Sequence, residues 1–290
     1  MAARPSPLAV AQTELAKVAL EAALPGCQVS LVLIRSEADV RPEEPIDQFG
    51  DKGVFTSRVE QALLDGRADI AVHSLKDVPV RGTSDLLIGA FLKRDDPWDV
   101  LVSRDGQRLG ELPLGATIGT GSLRRQVQLR EVRRDLSFRQ IRGNVDTRLR
   151  KLDQGQVDAL VLAAAGLERL GLSANISEYL DPDTCVPAPG QGIVALQARR
   201  GSAFLDLLRS VNDVEAELAA RLERRLGEAV GADCNSAFGA LATTDREGVV
   251  LRAVLLAPDG ALRRIRRFTA PDRVDALAES AREELLGVRP

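Results

Sequence analysis

Two stretches of this chain concentrate side chains that hold or stabilise charge. Between Arg124 and Lys151 stand ten cations and three acids, a local charge of +7 in a chain whose formal charge is −3. Guanidinium forks match carboxylates and phosphates in two-point geometry, so such a cluster predicts a polyanionic ligand. Arg124 and Arg125 follow Gly119-Thr120-Gly121-Ser122, a strand-to-helix junction at which backbone N–H groups and the positive helix end point outward. Cations in that first turn oppose the dipole unless an anion offsets them. Arg142-Gly143-Asn144 repeats the arrangement one unit later, with Asn144 as a cap and Arg148 a turn further on. Arg130, Arg133, Arg134 and Arg150 read as a solvated helix face.

The second stretch is His73-Ser74-Leu75-Lys76-Asp77-Val78-Pro79. An apolar strand runs into an adjacent Lys-Asp pair, and Pro79 prevents smooth continuation. Lys76 and Asp77 read as a strand-end ion pair or, for Asp77, as a carboxylate set opposite a developing cation or shuttling a proton. His73 reads as a packed strand residue. A third feature is Gly231-Ala232-Asp233-Cys234, a loop after a charged helix. Cys234 is either a partly buried free thiol or, facing a cationic site, a nucleophile of lowered pKa.

Composition narrows the chemistry. With one histidine, His73, no site of two or more histidines is available, and most zinc enzymes are excluded. The acidic net charge and an aromatic content of 3% disfavour a nucleic-acid binder, which needs basic excess and stacking rings. No apolar run approaches the ~20 residues of a membrane span. Met1–Val10 lacks the charged head and long apolar core of a secretory signal. Three scattered cysteines, Cys27, Cys185 and Cys234, predict no disulfide framework and a reducing, cytosolic setting.

The elements that must position these groups alternate. Ser6 caps and Pro7 opens a helix with Leu8, Ala11, Leu15, Val18 and Ala22 as its apolar stripe, ended by Pro25-Gly26. Strands are expected at 28–34, 69–75, 116–119, 136–141 and 157–163, and helices at 56–66, 122–134, 144–152 and near Leu167. That order implies a mostly parallel sheet with ligands at the carboxyl ends of strands. Val186–Gly192, rich in Pro and Gly, reads as a crossing and hinge. The alternation then gives way to a charged helix over 213–226, strands 249–256 and 261–268 around Pro258-Asp259-Gly260, and a closing helix over 271–286.

In this order the pieces resemble the hydroxymethylbilane synthase, or porphobilinogen deaminase, family over nearly the whole chain. The resemblance rests on Arg4–Ala9 (RPSPLA), Asp69–Pro79 (DIAVHSLKDVP), Gly119–Gln126 (GTGSLRRQ), Arg142–Leu149 (RGNVDTRL), Ala164–Leu170 (AAGLERL) and Pro187–Gly192 (PAPGQG). It implies an α/β fold: two periplasmic-binding-protein-like type II lobes with mixed, mostly parallel sheets, and a small C-terminal α+β domain with an antiparallel sheet. The implied domains are 1–92 with 193–210, 98–186, and 213–290. It further implies a dipyrromethane cofactor joined by a thioether to Cys234. Four porphobilinogen molecules would be deaminated and condensed head to tail, and hydroxymethylbilane released by hydrolysis.

By the same resemblance Asp77 is the catalytic aspartate. Lys76, Asp77, Thr120, Ser122, Arg124, Arg125, Arg142, Gly143 and Arg148 would hold the cofactor. Arg4, Ser6, Lys52, Arg142, Arg148 and Arg169 would bind the substrate, and Asp39 matches a neighbouring loop position. No metal is implied, and the implied state is a monomer in the cytoplasm. The sequence departs from the family pattern at Ala232-Asp233 before the cysteine, at Ala237 in place of proline, at Gly121 in place of serine, and along Arg35–Gly53. The competing class is a non-catalytic, two-lobed binding or sensor protein for a small polycarboxylate.

Overall fold

The structure, a computed structural model, describes residues 1–35, 56–80, 82–233, 236–244, 248–269 and 274–287. The chain divides into two compact units, Met1–Asp95 with Ile193–Leu218, and Asp96–Gly192 with Ala219–Pro290.

The first unit is built on a five-stranded sheet in the order β2-β1-β3-β10-β4. Its strands are β1 (Ala2–Ala3), β2 (Val32–Leu33), β3 (Ile70–Ser74), β4 (Leu86–Phe91) and β10 (Val194–Arg199). β1 pairs in parallel with β2 and β3, while β10 runs antiparallel to β3 and β4, so the sheet is mixed. Helices α1 (Pro7–Ala23), α2 (Ser57–Leu64) and α6 (Phe204–Leu208) accompany it. Successive strand residues face opposite sides. Ile70 and Val72 pack with Ala16, Leu20 and Leu196 under α1. Ala71 packs with Val59 and Leu63 of α2 on the other face.

Helix α1 forms where Ser6 and Pro7 predict it, with Ser6 Oγ accepting from Ala9 N at 3.3 Å. Its inward face differs from the expected stripe. Gln12, Thr13, Ala16 and Leu20 are buried, whereas Leu15 and Val18 are 46% and 64% exposed. The buried polar pair is satisfied internally. Thr13 Oγ1 donates to Ala9 O at 2.7 Å, and Gln12 Nε2 donates to Ser74 Oγ at 2.8 Å. Ala16 is fully buried in the same cluster as Ile70 and Val72.

The second unit carries a five-stranded sheet in the order β7-β6-β8-β5-β9. These strands are β5 (Asp99–Ser103), β6 (Thr117–Gly119), β7 (Ser137–Arg139), β8 (Ala159–Ala163) and β9 (Glu178–Leu180). β6 is parallel to β7 and β8, and β5 is antiparallel to β8 and β9. Helices α3 (Leu123–Val132), α4 (Val145–Asp153) and α5 (Ala164–Arg169) follow β6, β7 and β8. β5 and β8 are buried on both faces. Leu101 and Val161 meet Leu129 of α3, and Val100, Val102, Leu160 and Leu162 meet Leu152 and Leu167.

The same unit holds an antiparallel sheet of β11 (Phe238–Thr244), β12 (Val249–Leu256) and β13 (Leu262–Thr269), with α8 (Val274–Leu286) against β13. Pro258-Asp259-Gly260 forms the expected hairpin turn, with Gly260 at φ +83°. Helix α7 (Val214–Ala229) extends three residues beyond the expected 213–226, and the unit boundary falls within it. The chain changes units between Gly192 and Ile193, at the end of the Pro-Gly-rich crossing. Asn144 occupies the N-cap position of α4 without a capping side-chain bond.

Candidate functional site

In the first unit, the ends of β1 and β3 bring three of the expected site residues together. Arg4, Ser6 and Asp77 line one hollow of about 70 Å³, together with Gln12, Thr56, His73 and Ser74. Local sequence explains the convergence. β1 stops at Ala3, so Arg4 and Ser6 sit where α1 begins. β3 stops at Ser74 and gives way to a single 3₁₀ turn, Leu75–Asp77, whose next amide, Val78 N, bonds Leu75 O at 3.0 Å. The turn places Lys76 and Asp77, both half-buried, at the strand's carboxyl end. The hollow is two-signed. Arg4 and the amino end of α1, whose first turn holds no acid, favour an anion. Asp77 favours a cation.

In the second unit the arginine loops follow β6 and β7. Ser122 caps α3, accepting from Arg125 N at 3.4 Å, and Thr120 Oγ1 accepts from Ser122 N at 3.2 Å. Gly119 is required by packing, because a Cβ there would lie 2.6 Å from Leu160 Cδ2. Gly143 adopts φ +104°, and a Cβ on it would meet Thr147 Cγ2 at 2.7 Å. Arg148 Nε donates to Gly143 O at 2.8 Å, and Lys151 Nζ donates to Arg142 O at 3.3 Å, so cations of α4 brace this loop.

Arg124 and Arg125 meet an anion that the sequence reading did not name. The anion that offsets them is a residue of the chain, Asp99, which is fully buried. Arg124 Nη1 donates to Asp99 Oδ2 at 2.7 Å and to Val186 O at 2.5 Å. Arg125 donates to Asp99 Oδ1 through Nε at 3.1 Å and Nη2 at 2.6 Å, and to Val161 O through Nη1 at 2.7 Å. Burial alone would raise the Asp99 carboxyl. The two guanidiniums outweigh it and hold the group well below the usual carboxylate range. Cys185 donates its thiol to Asp99 Oδ2 at 3.4 Å. Burial, then the Asp99 charge, push this thiol up to about 12, so it stays neutral. Two guanidiniums against one carboxylate leave one net positive charge. Arg124 Nε and Nη2 meet no acceptor among the described residues.

Asp99 was missed because its signal is faint: one acid opening an apolar strand, Val100–Val102. The same holds for Gln191 and Glu223, which tie down the crossing. Gln191 Nε2 donates to Asp99 Oδ1 at 2.9 Å, and Glu223 Oε2 accepts from Gly190 N at 2.6 Å. Arg169, expected to meet substrate, donates Nη2 to Gly192 O at 2.6 Å. On the 231–236 loop, Asp233 Oδ1 accepts from Ser236 Oγ at 2.7 Å. Cys234, Lys52 and Asp39 lie outside the described residues.

A family model described as "Porphobilinogen deaminase, dipyromethane cofactor binding domain" matches residues 1–206. The chain is 43% identical over 284 residues to a porphobilinogen deaminase of Roseiflexus castenholzii, covering 98% of this chain and 94% of that protein. It is 42% identical over 291 residues to a probable porphobilinogen deaminase of Hyperthermus butylicus, covering 98% and 95%. Among solved structures, the VFT2 domain of Bordetella pertussis BvgS aligns at 15% identity and a TM-score of 0.42, covering 72% of this chain and 81% of that one.

Proposed function

The chain belongs to the porphobilinogen deaminase family, and from that premise we propose that it is a transferase that builds hydroxymethylbilane from four porphobilinogen molecules. The observation that carries the reading is the two-signed hollow in which Arg4, Ser6 and Asp77 meet. Porphobilinogen is itself two-signed, with an acetate, a propionate and an aminomethyl ammonium on one pyrrole. The hollow offers a guanidinium and a helix amino end to a carboxylate, and a carboxylate to the cation.

The arginine loops fit a polycarboxylate group. The Arg124–Arg125–Asp99 cluster keeps a net positive charge, and Arg124 retains donors free of described acceptors. Thr120, Ser122, Arg124, Arg125, Arg142, Gly143 and Arg148, with Lys76, would hold the dipyrromethane by its acidic side chains, and Asp77 would accept from its pyrrole N–H groups. Attached through a thioether to Cys234, that group supplies the pyrrole carbon onto which porphobilinogen units condense. Lys52 and Arg169 are proposed to assist in binding substrate carboxylates. We assign the three sheets to three domains, 1–92 with 193–210, 98–186, and 213–290.

Asp77 carries the chemistry in this account. As the C–N bond of porphobilinogen breaks, the electron pair leaves with ammonia and the ring becomes cationic. The Asp77 carboxylate stabilises that cation and takes up or returns a proton at the pyrrole N–H. Cations at each added ring's carboxylates hold the lengthening product, which water finally releases. This family reading displaces the binding-protein alternative, which gives Asp77 no role. No helix among the described residues is long and apolar enough to cross a membrane.

Turnover tests the proposal. The purified protein should convert porphobilinogen to hydroxymethylbilane with release of four ammonia molecules. Asp77→Ala should fold and bind substrate while losing at least ~10²-fold in kcat. Near-normal turnover by this variant would remove Asp77 from the reaction.

A further inference from the structure

His73 is the chain's single histidine, and the proposed reaction gives it no role. It lies on β3 with Nε2 2.9 Å from Gln197 Oε1. Gln197 on β10 stands opposite Ala71, so His73, two residues along the same pleated face, is its diagonal neighbour. The far end of the Gln197 amide is fixed by α2: its Nε2 donates to Glu60 Oε1 at 2.9 Å. Thr83 Oγ1 donates to the other carboxylate oxygen at 3.1 Å. His73, Gln197 and Glu60 are all buried.

This relay has a forced polarity. Both Glu60 oxygens accept, one from Gln197 Nε2 and one from Thr83 Oγ1, so the NH₂ end of Gln197 faces Glu60 and the amide oxygen faces the ring. The ring nitrogen that meets a carbonyl oxygen carries the proton, so Nε2 is the N–H and Nδ1 is a bare lone pair. Nδ1 makes no hydrogen bond among the described residues, and the residue is only 6% exposed. His73 lines the hollow with Arg4 and Asp77. Burial lowers the pKa of the ring against the smaller pulls of Gln197, Glu60 and Asp77, which keeps it neutral.

Resting on the proposed function, we infer that His73 Nδ1 contacts substrate, accepting a hydrogen bond from the aminomethyl ammonium of porphobilinogen, and that Gln197 and Glu60 are positioning residues that fix the ring's tautomer. An ammonium has three donors and so fills two acceptors, Asp77 and Nδ1, at once. The positive end of the hollow, at Arg4, turns it toward them. The contact ends when ammonia leaves, so it acts on binding more than on turnover.

His73→Gln separates the two ring nitrogens, because its terminal amide keeps a donor toward Gln197 while its one acceptor, the amide oxygen, then points to the side of the ring away from Nδ1. The expected result is a KM for porphobilinogen raised about tenfold, the scale of one charge-assisted hydrogen bond, with kcat changed less than about twofold. Affinity for an analogue bearing methyl in place of aminomethyl should stay the same. An unchanged KM, or an equal loss for the methyl analogue, would overturn the contact. If His73→Gln fails to fold, Glu60→Gln takes its place. That variant lets the Gln197 amide flip and should raise KM in the same way.

The relay has its own readout, independent of activity. In ¹⁵N NMR the lone imidazole of the wild type should show a protonated Nε2 and a bare Nδ1, and Glu60→Gln should mix the tautomers. A wild type protonated at Nδ1 overturns the relay even if the enzyme is active. A wild type with the expected tautomer that fails to convert porphobilinogen overturns the functional reading and the ligand assignment with it.

Discussion

Asp99 decides how the arginine-rich stretch is understood. The residue count gives +7 and suggests that Arg124 and Arg125 await an external anion, yet both are buried against one internal carboxylate. The sequence locates the cations because two of them follow a glycine-flanked cap. It hides their counter-ion because Asp99 lies 25 and 26 residues away from them. Removing one partner of a buried ion pair leaves the others uncompensated, so Asp99→Asn should cost about 3–5 kcal/mol in denaturant unfolding. The folded carboxyl lies well below the unfolded value of about 3.9, so its contribution is present above that pH and lost as pH falls toward the folded value. The gap between wild type and variant should therefore stay constant from about pH 7 to 5 and narrow below about pH 4. A gap that closes by about pH 5 would contradict a depressed carboxyl.

Elements were legible where periodicity and punctuation agreed. Ser6-Pro7 and Pro258-Asp259-Gly260 each marked a boundary that the structure reproduces. Apolar spacing alone misjudged the face of α1, because the hollow needs Gln12 inward, bonded to Ser74, where a hydrophobic stripe would point elsewhere. β1 and β2, at two residues each, are too short for a period-2 pattern to register. The Arg142-Gly143-Asn144 loop depends on backbone conformation. Gly143→Ala combines a left-handed φ with a Cβ 2.7 Å from Thr147 Cγ2, and should cost about 1–3 kcal/mol. Because Arg148 is anchored on that glycine's carbonyl, the variant should also stall elongation, seen as shorter enzyme-bound intermediates in native mass spectra. Wild-type stability and a wild-type ladder would show that the loop tolerates the change.

At the scale of the whole molecule, the discontinuous first unit was the least legible feature in residue patterns. Ile193–Leu218 belongs with Met1–Asp95 because β10 inserts between β3 and β4, a pairing of residues more than 100 positions apart. No local signal carries that information, and only the ordered series of motifs implied it. The third sheet was readable from its hairpin, and Cys234, which precedes it in the sequence, remains the point on which the transferase reading turns. Intact mass spectrometry of the purified chain, beside Cys234→Ser, tests that point most directly. The account predicts a wild-type mass increased by one dipyrromethane and a variant without the increase. A folded wild type that is unmodified, and that stays so after incubation with porphobilinogen, would contradict it.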